Sequence, residues 1–90
     1  MAEVRLPSTL APLFPGLPRK LDVQAATVSD VIDQLERDWP GIRDRLCESG
    51  PTLRRHIHVY VNSERAQIDT PVREQSRVEV IAAISGGSAS

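Results

Sequence analysis

Cysteine and lysine are both almost missing from this chain of 90 residues, which contains one of each. The one cysteine, Cys47, excludes an internal disulfide and fits a reducing compartment. A lone thiol can carry a persulfide, but no adjacent histidine or lysine favours the thiolate form here. Because Lys20 is the sole lysine, the chain offers little scope for polymerisation through its own side chains.

The sequence also has no large excess of positive or negative charge and no long apolar run. Its net charge of -1 and pI of about 6.1 provide no polybasic face for nucleic acid or anionic lipid. No apolar stretch approaches the roughly 20 residues of a membrane span, and the N-terminus has no basic region followed by an apolar one. We therefore expect a cytoplasmic protein, monomeric when free, with neither nucleic acid nor a membrane as partner.

The most informative stretch is the last one, from Val78 to Gly87. Its apolar side chains alternate with period two, and both faces are partly apolar, which predicts a strand in the middle of a sheet. Gly86 and Gly87 follow this strand, and because they lack a Cβ their backbone can enter a slot that any side chain would block. A frayed terminus or a linker has a similar composition, so the glycine pair alone does not decide the function.

The upstream sequence predicts one helix between strands. Thr27 and Asp30 form a variant of the capping box, and an apolar stripe with helical spacing follows from Val28 to Trp39. Pro40 ends the helix, and Gly41–Leu46 reads as a short turn with buried apolar residues. Alternating or apolar runs predict strands at residues 2–6, 20–24, 57–61 and 66–68.

These elements predict an α+β fold with a mixed four- or five-stranded sheet and one main helix packed on one face. For the last strand to be buried, it must lie between the first and the third strands, which leaves the second and the fourth at the edges. We expect one domain, residues 1–85, and a flexible C-terminal tail, residues 86–90.

Several segments, in this order and spacing, resemble the β-grasp (ubiquitin-like) sulfur carriers related to MoaD and ThiS, and most closely the actinobacterial carriers that serve cysteine synthesis. The resemblance covers nearly the whole chain. It is carried by the opening strand and Pro-x-x-Leu loop, the helix start, the helix end, a central strand and the C-terminal stretch: Val4–Leu10, Thr27–Ile32, Trp39–Ile42, Val59–Asn62 and Val78–Gly87.

The resemblance implies a chemistry at the C-terminus. In this family an E1-like adenylating enzyme uses ATP to activate the carboxylate of the last glycine, here Gly87 after Gly86, and a sulfur donor converts it into a thiocarboxylate. A sulfur-accepting biosynthetic enzyme then takes the sulfur. The carrier is a cosubstrate with no bound cofactor or metal. Partner contacts are expected from a small set of residues: Phe14, Ile81, Ala83, Ile84 and Ser85. For Phe14, packing in the core is the alternative.

The chain departs from the family pattern at Ala82, where proline is usual, and at Ser85, where alanine or a similar small residue is usual. It also continues past the second glycine with Ser88-Ala89-Ser90. A glycine within a peptide bond has no carboxylate to activate, so the resemblance implies removal of these three residues by a zinc-dependent JAMM-type peptidase. An inactive tail is the alternative.

Other polar residues carry no chemistry in this interpretation. His56 and His58 project from one face of a strand, but no further cluster completes a zinc site. Arg54-Arg55 reads as a solvated patch, and Glu36, Asp38 and Asp44 lie on the solvated side of the helix and the following turn. Two other functions share the same tail: the small subunit of molybdopterin synthase, and a ubiquitin-like modifier of lysines on other proteins.

Overall fold

The structure is a computed structural model that describes residues 1–48 and 52–82. It contains a 3-10 helix, Ser8–Leu13, and two α-helices, α1 (Val28–Asp38) and α2 (Ile42–Leu46). The strands are β1 (Ala2–Arg5), β2 (Lys20–Val23), β3 (Cys47–Glu48), β4 (Thr52–Leu53), β5 (Ile57–Val61), β6 (Glu64–Ala66) and β7 (Arg77–Ala82). None of these helices is long and apolar enough to cross a membrane.

The main sheet has five strands in the order β2-β1-β7-β5-β6. Only the β1–β7 pair is parallel within this sheet, and the other pairs are antiparallel. The predicted mixed sheet, the central position of the last strand and the two predicted edge strands are therefore confirmed. The predicted domain boundary at residue 85 lies outside the described residues.

The central strand β7 is not paired equally along its length. On one side β1 pairs only with its first half, from Arg77 to Glu79. On the other side β5 pairs with it from Val78 to Ala82. Since β1 ends at Arg5 just before Pro7, the last three residues of β7 have a strand on one side only.

Helix α1 starts as the sequence predicts, with one difference in the cap. The Asp30 amide donates to Thr27 Oγ1 at 3.2 Å, as in a capping box. The Asp30 carboxylate, however, accepts from the Ala26 amide at 3.1 Å instead of the Thr27 amide. The apolar stripe of the helix is buried against the sheet at Val28, Val31, Ile32 and Leu35.

The joint between the two helices depends on Glu36, which the sequence analysis assigns to the solvated side. Its carboxylate accepts hydrogen bonds from the amides of Gly41 and Arg43 at 3.1 and 2.9 Å. Gly41 has φ +103°, a conformation that side-chain-bearing residues rarely adopt. Glu36 therefore binds the free amides at the start of α2, and the predicted turn after Pro40 is a short helix.

The β5–β6 hairpin is shifted from its predicted position. Asn62 and Ser63 both have positive φ, +53° and +72°, as in the two-residue hairpin turns that suit the twist of paired strands. The return strand therefore begins at Glu64, and the predicted strand at residues 66–68 is wrong by two residues. The short strands β3 and β4, which pair with each other, are not among the predicted strands.

The core lies between one face of the sheet and the helices. It includes Val4 of β1, Val59 of β5 and Val78 of β7, each with 1% or less of its surface exposed. Ile42 and Leu46 of α2 are buried, as predicted for the segment after Pro40, and Trp39 is half-buried against the same cluster.

Candidate functional site

The candidate site is the end of the sheet at which β7 reaches Ala82, which we call the exit end. The predicted reactive residues Gly86 and Gly87 lie outside the described residues, as do the docking candidates Ala83, Ile84 and Ser85. Their roles therefore stay predictions. What the structure defines is the surface from which these residues continue.

Strand directions decide which segments surround the exit end. Ala82 pairs with Ile57, the first residue of β5, so the residues just before Ile57 lie beside the end of β7. Strand β1 runs parallel to β7, so the chain that leaves β1 at Leu6 also lies at this end. The 3-10 helix Ser8–Leu13 starts two residues later.

Ile81 is an exposed apolar residue at the exit end. It keeps 45% of its surface exposed and lies on the face of the sheet opposite the helices, paired with His58 across β5. Leu13, in the 3-10 helix, is 47% exposed. An exposed position fits the docking role predicted for Ile81.

Phe14 has a different environment from the other docking candidates. It is 9% exposed and belongs to the core cluster. A Cβ added at Gly41 would lie 3.6 Å from Phe14 Cε1, which places the ring against the joint between α1 and α2. In the free protein Phe14 is therefore a core residue, which was the alternative to a partner contact.

The two histidines do not form a cluster. His56 is exposed, and His58 is half-buried with its Nδ1 atom buried and without a hydrogen-bond partner. Within residues 1–48 and 52–82, no group of three or more histidine, cysteine or acidic side chains is arranged to hold a metal ion.

Cys47 is an unsuitable position for sulfur chemistry at neutral pH. The residue is 5% exposed at the start of the small hairpin. Burial raises the pKa of the Cys47 thiol above its ordinary value, and the nearby charges of Arg43 and Arg54 offset this only in part. The thiol form is therefore favoured, whereas a persulfide carrier needs an accessible thiolate.

The sheet face around Ile81 is otherwise polar. Glu79 and Tyr60 form a cross-strand pair next to the Ile81–His58 pair. On the neighbouring strand β1, Arg5 Nε donates to Glu3 Oε2 at 2.8 Å, and this hydrogen bond is the main cause that lowers the pKa of the Glu3 carboxyl. The described groups on this face suit recognition of a partner surface and show no arrangement of nucleophile and base.

Comparison with known proteins shows the same architecture. The curated sulfur carrier protein CysO of Mycobacterium tuberculosis is 30% identical over 90 residues, which cover 93% of this chain and 96% of that protein. The solved structure of CysO from that organism has a TM-score of 0.84 at 27% identity, covering 93% of this chain and all of the other.

A second solved relative was determined with a partner. The structure of the Amycolatopsis orientalis BexX/CysO complex contains a chain with a TM-score of 0.85 and 28% identity, covering 97% of this chain and all of that one. SAMP1 from Haloferax volcanii matches with a TM-score of 0.74 and 28% identity over 96% of this chain and 98% of the other. These neighbours confirm the predicted ubiquitin-like β-grasp fold. The profile of the ThiS family matches residues 13–87, and this chain therefore belongs to the ThiS family.

Proposed function

We propose that this protein is a sulfur carrier whose Gly87, once Ser88-Ala89-Ser90 are removed, is adenylated and converted to a thiocarboxylate. The observation that carries the proposal is the match to the ThiS family, which ends at Gly87. The similarity to sulfur carrier protein CysO over nearly the whole chain supports the same role. In this role the protein is a cosubstrate of its partner enzymes.

The position of β7 supports this proposal because it fixes the origin of the reactive segment. Gly87 lies five residues beyond Ala82, and five fully extended residues span at most about 18 Å. That length suits a carboxylate that must reach into the closed active site of another enzyme while the folded domain stays outside. Glycines at the last two positions leave no side chain to obstruct the entry.

The chemistry requires activation because a carboxylate repels nucleophiles. A carboxylate oxygen of Gly87 attacks the α-phosphorus of ATP, which forms the acyl-adenylate and releases pyrophosphate. A sulfide equivalent from a donor then adds to the acyl carbon, and AMP leaves with the electron pair of the broken C–O bond. The product is a thiocarboxylate, a sulfur nucleophile that an acceptor enzyme can use within a site closed to water.

The test is the intact mass of the protein ending at Gly87 after incubation with ATP, the adenylating enzyme of the same organism and a sulfur source. We expect one oxygen to be exchanged for one sulfur. The matched controls are a chain that ends at Gly86, which should fold normally without undergoing the exchange, and the chain of 90 residues, which should react only after a zinc-dependent peptidase has removed the last three. If the Gly87-ending protein shows no exchange with an enzyme active on another carrier, the proposal is refuted.

A ubiquitin-like modifier is a second candidate function, because SAMP1 is a structural neighbour at 28% identity. A modifier would use the same activated glycine, but the glycine carbonyl would form an isopeptide bond with a lysine of another protein. Lys20, exposed on the edge strand β2, is the sole lysine on which a chain of copies could grow. Isopeptide-linked conjugates in a cell lysate, absent when Gly87 is deleted, would favour this function over the free carrier.

A further inference from the structure

Positive charge is concentrated at the exit end. Arg45 lies at the exposed side of α2, and Arg54, Arg55 and His56 connect β4 to β5. We call these four residues the basic exit cluster. Three of them, Arg45, Arg54 and His56, line one open concavity together with Asp44. Two arginines and a histidine therefore surround one carboxylate in this concavity, and Arg55 lies between Arg54 and His56 in the chain.

Hydrogen bonds fix this cluster relative to β7. Arg54 Nε donates to the Asp44 carbonyl at 2.7 Å, and the Arg54 amide donates to the Leu46 carbonyl at 2.9 Å. The Ile57 amide in turn donates to the Arg54 carbonyl at 2.9 Å, and Ile57 pairs with Ala82. The cluster is thus attached to α2 on one side and to the last described residue of β7 on the other.

The cluster does not reflect an excess of positive charge in the whole chain, whose net charge is -1. The exposed side of α1 carries two acidic residues and one basic residue, Asp33, Asp38 and Arg37, and Asp33 is paired with Arg43. Charge is therefore separated between the helix side and the exit end. Such a separation orients a protein as it approaches a charged partner.

We propose that the basic exit cluster docks against an acidic protein surface beside the cleft through which the adenylating enzyme receives the C-terminal residues. This inference rests on the proposed function, which requires Gly87 to enter that cleft. His56 directly precedes Ile57, the partner of Ala82, and Arg54 and Arg55 come just before it, so a cleft that takes the C-terminus lies close to these arginines. Acidic groups at its entrance would attract the carrier over about a Debye length, roughly 8 Å at physiological salt, and would fix its orientation.

The test is a charge reversal that leaves the structural role of Arg54 intact. In the double variant Arg45→Glu/Arg55→Glu both altered side chains are exposed, and the Arg54–Asp44 hydrogen bond is retained. The matched control is Arg73→Glu, an exposed position in the segment before β7, at the opposite end of the sheet. All three proteins end at Gly87, and their folding is compared by circular dichroism.

Two measurements with the adenylating enzyme of the same organism separate docking from chemistry. In ATP–pyrophosphate exchange we expect the KM of the enzyme for the double variant to be about tenfold or more above its KM for the wild-type carrier. The kcat and the KM for ATP should be unchanged. For the wild type kcat/KM should fall as salt rises, and for the double variant this dependence should weaken. Direct binding without ATP should show the same loss of affinity, and Arg73→Glu should match the wild type in both measurements.

The inference is overturned if the double variant keeps a KM and a binding affinity within about twofold of the wild type. It is also overturned if Arg73→Glu has an equal effect, or if the KM for ATP changes in place of the KM for the carrier. If the wild type binds but supports no exchange, the proposed function fails, and the direct binding measurement still decides whether the cluster docks.

Discussion

The two halves of β7 have different structural roles. The first half, Arg77–Glu79, has a strand on each side, and the Arg77 amide also donates to Asn62 Oδ1 at 2.8 Å. The second half, Val80–Ala82, pairs with β5 alone and includes the exposed Ile81. The first half therefore holds the strand in the domain, while the second presents its end to a partner.

The largest contrast is expected from placing a charge in each half. Val78→Asp puts a carboxylate at a site with no exposed surface, so we expect a loss of more than about 4 kcal/mol in the free energy of unfolding, a large part of the stability of a small domain. Ile81→Asp places the same group at a site with 45% exposure, and we expect a change within about 0.5 kcal/mol.

Urea denaturation followed by circular dichroism measures both variants, and their amide hydrogen exchange locates the effect. Equal destabilisation by the two substitutions would show that the open side of the second half is covered in the free protein, which contradicts the comparison.

A smaller loss of stability is expected from substitutions of Asn62, whose side chain binds the first residue of β7. In Asn62→Gly the new residue tolerates the φ of +53°, but the side-chain oxygen that binds the Arg77 amide is lost. We therefore expect the free energy of unfolding to fall by about 1 kcal/mol. Asn62→Ala removes the same oxygen and adds the strain of a positive φ, for a total of roughly 2 kcal/mol. Thermal unfolding gives the stabilities, and exchange of the Arg77 amide should quicken in both variants. If the alanine variant is no less stable than the glycine variant, the conformational part of the argument is wrong.

The smallest effect concerns Glu3, which pairs with Arg77 across β1 and β7. The Arg5 hydrogen bond is the first cause of the lowered pKa of Glu3, so Arg5→Gln should return this pKa towards its ordinary value. Because the folded-state pKa is depressed, the contribution to stability is present above the unfolded-state pKa and is lost as the pH falls through the folded-state pKa.

An NMR titration of the Glu3 carboxyl measures this change, and Arg65→Gln, elsewhere on the sheet, is the control. A Glu3 pKa that does not move in Arg5→Gln would contradict the assigned cause. The same substitution should leave exchange in the second half of β7 unaltered.

The sequence predicts the features that follow from periodicity and burial. The alternation in Val78–Ala82 and in Ile57–Val61 identifies the strands at the centre of the sheet, and Thr27 and Pro40 set the ends of α1. These signals are local and strong. They also predict that β7 lies between β1 and β5, because only a central strand buries apolar residues in this way.

The features that the sequence analysis missed depend on contacts between distant segments or on very short elements. Strands β3 and β4 have two residues each, too few for an alternating pattern. The position of β6 depends on the positive φ of two hairpin residues. Glu36 reads as a solvated helix residue because the amides that donate to its carboxylate, those of Gly41 and Arg43, come only after the chain has turned at the end of α1. Arg54-Arg55 reads as an ordinary solvated patch until the register of Ile57 with Ala82 places it at the exit end.

The one-sided pairing of β7 also has a mechanical consequence. A partner that pulls on the C-terminus first loads the bonds between Val80–Ala82 and β5, which can separate from the end one after another. From Glu79 inward the load is shared by β1 and β5 together, so separation must stop there unless the whole sheet yields. An enzyme can thus draw three more residues out of the domain, about 10 Å of additional reach, at the cost of removing the buried Val80 side chain from the core.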